Sequence, residues 1–215
     1  MKTRVLSLLF AMPLASASLN AHASETLDQN LLNLAVASTL LSWGYSIYAN
    51  DTRLPNVMDI NWQQQRLGVN LGHFSQAHAF NLNYAKPLKS PLVTRQNFDL
   101  NAHWELGLGA WQSQRKQPLN KSGYIISLTP MLNYQFTRLS YQPYIEMGIG
   151  MAFISGSEMD NKLKSTQFQF SDRLGAGIEI NNWRLGYRFE HLSNGGISTP
   201  NEAVDIHALH ASYLF

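Results

Sequence analysis

The sequence predicts an all-β protein, an eight-stranded antiparallel transmembrane β-barrel, and three observations carry that expectation. The chain opens with an export signal, it is poor in charge and rich in aromatic residues, and from residue 63 onward it alternates apolar and polar positions in short runs. In "MKTRVLSLLFAMPLASASLNAHASE", Lys2 and Arg4 precede an apolar stretch from Val5 to Leu14 and small residues ending in Ala21-His22-Ala23. This is the layout of a cleavable secretory signal over residues 1–23.

Charged residues make up 14% of the chain and aromatic residues 11%, against about 25% charged in an average soluble domain. The net charge is +2, with no block of like charge, which argues against nucleic acid as a partner. The chain has no cysteine, so an exported fold must be held by packing or by a membrane rather than by disulfides.

Residues 24–62 read as an N-terminal extension of unknown role. Within it, "LLNLAVASTLLSWGYSIYA" (31–49) is nearly long enough to cross a bilayer, but Asn33, Ser38, Ser42 and Gly44 dilute it. It is expected to form an amphipathic helix within this extension, ahead of the barrel domain, residues 63–215.

The eight expected strands are 66–74, 78–86, 96–111, 122–137, 142–154, 167–180, 183–193 and 203–215. In the fourth, Tyr124, Ile126, Leu128, Pro130, Leu132, Tyr134 and Phe136 share one face, opposite Ser127, Thr129, Asn133 and Gln135. A soluble sandwich alternates too. The ending "HALHASYLF", with Leu209, Ala211, Tyr213 and Phe215 in one row, favours an outer-membrane barrel. The inward positions carry Glu146, Glu179, Glu190, Arg173, Arg184 and Arg188, both signs of charge, and are expected to form a paired interior network.

With both termini in the periplasm, the seventh strand ends and the eighth begins at the extracellular rim, joined by "EHLSNGGISTPNEAVD" (190–205). Strand parity sends Glu190 inward and puts His191, Ser193 and Asp205 on the lipid-facing row, with Glu202 in the turn. Polar side chains on that row are costly without a purpose. A serine needs a base to take its proton, an imidazole serves, and a carboxylate on the far ring nitrogen orients it. Asn194 and Gly195 are placed to supply oxyanion donors. Taken singly, Ser, Asn, Gly and Pro are ordinary loop residues, and it is the parity match that makes this a candidate site.

The stretch "FEHLSNGGISTPNEAVD", supported by "YIEMGIGMAFISG" and "FSDRLGAGIEI", resembles the lipid A 3-O-deacylase family of PagL-like outer-membrane esterases. The resemblance covers roughly residues 78–215. It implies Ser193 as nucleophile, His191 as general base, Asp205 as the orienting acid and Asn194 in the oxyanion hole. It further implies lipid A in the outer leaflet as substrate, with neither cofactor nor metal. A known member carries Glu where Asp205 stands, so the shorter side chain requires a closer approach of the strands. Two other classes stay open: a non-enzymatic adhesin or structural barrel, and a barrel phospholipase or acyltransferase. A homodimer also stays open.

Overall fold

The computed structural model describes residues 21–51 and 53–215. The expected signal, residues 1–23, therefore lies almost wholly outside the described residues. Eight long strands form the body: β1 (Arg66–Phe74), β2 (Ala77–Pro87), β3 (Phe98–Ser113), β4 (Ser122–Phe136), β5 (Pro143–Ile154), β6 (Phe168–Ile180), β7 (Trp183–Ser193) and β8 (Val204–Leu214). Each pairs antiparallel with its sequence neighbours, and β1 pairs β8, so the sheet closes on itself. Closure leaves no unpaired edge, the condition for a sheet to sit in lipid.

Alternation decides the two faces. Outward residues such as Leu106, Tyr124, Ile126, Met151, Phe153, Leu185 and Leu209 are exposed, forming an apolar band around the barrel. Inward, Arg173 bridges Glu105 at 2.7 Å and Glu190 at 2.8 Å, and Arg188 bridges Glu105 and Glu146, both at 2.7 Å. Nearer the end that carries the barrel termini, Arg184 and Arg66 share Glu179 at 2.5 and 3.1 Å. Every buried charge in this set has an opposite partner within hydrogen-bond range, which is what makes such burial tolerable.

At that same end β6 and β7 are joined by Asn181-Asn182 alone, both at positive φ (48° and 71°). This is the geometry of the two-residue turns that asparagine tolerates and that match strand twist. It fixes the β6–β7 register.

The helix α1 (Ala21–Ala49) precedes the barrel. Its amphipathicity is inverted relative to a soluble helix. Ala35, Thr39, Ser42 and Ser46, spaced three or four apart, are its buried face, while Leu34, Leu40, Leu41 and Tyr48 point away. It lies against the outer surface of β5 and β6. Two of the hydroxyls are satisfied within the helix, Thr39 Oγ1 donating to the Ala35 carbonyl at 2.7 Å and Ser46 Oγ to that of Trp43 at 2.8 Å. Small residues that allow close approach are what helices pack with where lipid competes for apolar surface. No helix among the described residues is long and apolar enough to cross a membrane.

Candidate active site

The site is built where β7 and β8 leave the barrel at its loop end. His191 and Asp205 are register partners across these strands, and both side chains face outward. The ring Nδ1 of His191 lies 2.6 Å from Asp205 Oδ1. Direct opposition in the ladder is why an aspartate is long enough, since paired Cβ atoms stand only about 5 Å apart. With Nδ1 engaged by the carboxylate, Nε2 is the nitrogen left to act as base.

Ser193 follows two residues on, in the same outward row, about 6.5 Å along the backbone. The structure thus joins His191 to Asp205 and sets Ser193 beside them, with no hydrogen bond drawn between Ser193 and His191. Such contacts commonly tighten only when substrate is bound.

Asn194 sits differently from its expected position in an oxyanion hole. Its side chain is fully buried and donates to the carbonyls of Lys164 (3.0 Å) and Ser198 (2.9 Å) while accepting from the Gly196 N–H (2.9 Å). Its own N–H goes to Asn201 Oδ1 at 3.0 Å. All of its polar groups hold the loop together. Gly195 is the donor that remains, for its N–H makes no hydrogen bond among the described residues. Its φ of +63° suits glycine, and a Cβ there would meet the Phe170 ring at 2.8 Å. Phe170 is the register partner of Ser193, so Gly195 lies close above the serine.

Three neighbours were missed in the sequence reading. Asp172 on β6 pairs with His191 from the other side and is 8% exposed. It is the one carboxylate in the outward row Phe168, Phe170, Asp172, Leu174, and the Asn181-Asn182 turn would have placed it. Lys164, wholly buried, comes from the loop between β5 and β6. Its Nζ donates to the carbonyls of Leu192 (2.7 Å) and Glu202 (2.6 Å), clamping both arms of the β7–β8 hairpin. Burial pulls this ammonium down to about 8, while the nearby Asp205 carboxylate pulls it up. His207, two residues beyond Asp205, links to Tyr187 OH at 2.5 Å and to Asp28 of α1 at 3.0 Å. No spacing rule could have joined residues 28 and 207. No group of three or more His, Cys, Asp or Glu among the described residues could hold a metal ion.

A family model described as lipid A 3-O-deacylase (PagL) matches residues 78–214, which include every residue of the hairpin. The chain belongs to the lipid A 3-O-deacylase (PagL) family. It is 31% identical over 111 residues to the lipid A deacylase PagL of Pseudomonas aeruginosa, covering 51% of this chain and 62% of that one. To the PagL of Bordetella bronchiseptica it is 40% identical over 73 residues, covering 34% and 41%. The aligned part is therefore less than two thirds of either relative's length. A crystal structure of the outer membrane enzyme PagL superposes with a TM-score of 0.63 at 25% identity, covering 69% of this chain and 98% of that one. The PagL match begins at residue 78, so α1 and the segment after it lie outside it.

Proposed function

We propose that this protein is an outer-membrane serine esterase that removes the 3-hydroxyacyl chain ester-linked at the 3 position of lipid A. The observation that carries the reading is the His191–Asp205 pair on the outward face of the barrel, with Ser193 next in the same row, inside the region matched by the PagL family.

His191 Nε2 takes the Ser193 hydroxyl proton as Oγ attacks the ester carbonyl carbon, and Asp205 holds the Nδ1–H tautomer and stabilises the imidazolium. The N–H of Gly195 receives the developing oxyanion. Collapse expels the glucosamine 3-oxygen, which takes the proton from His191 and leaves an acyl-serine. Water, deprotonated by the same imidazole, then releases the 3-hydroxy fatty acid and restores Ser193. The outward orientation suits an ester carried in the outer leaflet, with the site at the extracellular rim.

The test is mass spectrometry of lipid A and of released fatty acid from membranes carrying the protein. Ser193→Ala and His191→Ala should each abolish release while the barrel stays folded, and Asp205→Ala should be less severe. Undiminished release from Ser193→Ala would overturn the assignment of nucleophile. Addition of an acyl chain would point to a transferase, and unchanged lipid A to a phospholipid substrate or an adhesin.

A further inference from the structure

The outward face below the nucleophile changes character over one step. At the level of Ser193 the register partners Phe170, Met151 and Leu128 are 37%, 48% and 39% exposed. Four residues down the strands, about 13 Å at ~3.3 Å per residue, the row Phe189, Leu174, Met147, Leu132, Ala102 is buried, none above 8%. Four residues lower again, Leu185 and Ile178 are open at 54% and 36%. A covered belt thus crosses the outward face between two exposed apolar rows, with the buried polar pair His191 and Asp172 (7% and 8% exposed) just above it on β7 and β6.

The cover is α1. Leu174, Met147, Leu132 and Ala102 form one packed cluster with Ala35, joined by Leu31 and Trp43. Ser42 Oγ lies 3.5 Å from Met147 Sδ. At the β7–β8 end of the belt, the Phe189 ring packs at a tilt against His207, which Asp28 holds at 3.0 Å. At the other end Asn50 Nδ2 donates to the Leu92 carbonyl at 2.9 Å. The helix is pinned at both ends and crosses the outward face directly beneath the candidate nucleophile.

An acyl chain whose ester reaches Ser193 finds apolar side chains on the β6–β5 side, Phe170 and Met151, and runs down that side past Asp172 towards Leu174 and Met147. It meets α1 about 13 Å below. We propose that α1 is an intramembrane shelf that limits how deep the chain under attack can extend, and so selects the acyl lengths that are cleaved. The inference rests on the ester-hydrolase reading and adds a specificity element from outside the matched PagL region.

Absence of native cysteine makes the helix position measurable without activity. Ser42→Cys with Met147→Cys should be joined by a short bis-maleimide crosslinker in outer membranes, since Ser42 Oγ lies 3.5 Å from Met147 Sδ. Lipid A substrates carrying short or long 3-hydroxyacyl chains at the 3 position are then compared by kcat/KM. The native protein should favour the short chain. Ala35→Trp, a wedge in the buried face of α1, should abolish the crosslink and raise the long-to-short ratio at least roughly tenfold, the lower end of what a single methylene is worth in an apolar pocket. A Ser42→Cys, Met147→Cys protein that does not crosslink, a native protein indifferent to chain length, or a wedge that loses the crosslink with the ratio unchanged overturns the shelf. No fatty-acid release from either substrate would instead bring down the esterase reading, while the crosslink still reports where α1 lies.

Discussion

Gly195 and Gly196 separate two roles that glycine can play in one loop. Both have positive φ, +63° and +82°, but a Cβ at 195 meets Phe170, whereas at 196 it meets nothing within 4 Å. Gly196→Ala should therefore cost only the backbone strain, about 1–2 kcal/mol, with activity kept. Gly195→Ala should carry the same strain and in addition displace the N–H proposed to receive the oxyanion, lowering kcat more than it alters KM. Parallel measurement of melting and kinetics on the two variants checks this, and equal kinetic losses would contradict it. Lys164 gives a pH signature at the same scale. Burial lowers its pKa to about 8, below the ordinary ~10.4. The unfolded chain thus holds the proton more tightly, and stability contributed by this group rises with pH between those two values. Melting of the native protein and of Lys164→Met from pH 7 to 10 should show the native protein gaining on the variant above about pH 8. The opposite slope would refute the assignment.

At the scale of elements, the loop between β5 and β6 is stitched to the β7–β8 hairpin through residues 163–165. Besides the Lys164 clamp, the Leu163 N–H donates to Glu202 Oε2 at 2.8 Å, the Glu202 N–H to the Leu163 carbonyl at 2.9 Å, and Ser165 Oγ to the Pro200 carbonyl at 2.7 Å. Replacing residues 156–163 by a short Gly-Ser linker should raise amide exchange across 194–203 and lower activity more steeply on warming than in the native protein. Unaltered exchange in the hairpin would mean that it holds its own shape. The strands themselves were readable from the sequence because alternation is a local signal: β7 begins and ends where its pattern does, and β1 likewise. Outward placement of His191, Ser193 and Asp205 followed from the same parity. The loop contacts were not readable, since Lys164 and Asn194 act through main-chain carbonyls that any residue offers. The helix was expected, but its orientation was not. Small and hydroxyl residues inward with leucines outward is a pattern that has meaning only once a barrel and lipid stand on its two sides.

For the whole molecule, the charge network is the structural commitment. Glu105 answers both Arg173 and Arg188, each at 2.7 Å, in the middle of the barrel. Glu105→Gln leaves two guanidiniums short of one negative charge, and removing one partner of a buried pair costs about 3–5 kcal/mol. The heat-induced mobility shift of the barrel should move to clearly lower temperature, and no shift would show that the remaining glutamates compensate.

That filled interior also determines how the protein meets what it acts on. Nothing can thread the barrel, so it should conduct no ions across a planar bilayer. The row proposed to be reactive lies on the outer wall and is reached only sideways, by neighbours moving within the same leaflet. Encounter is then a search in two dimensions, and its frequency follows the fluidity and crowding of the leaflet rather than the concentration of anything in solution. The rate observed in a stiff, tightly packed membrane should fall well below that in a fluid one with the protein itself unchanged.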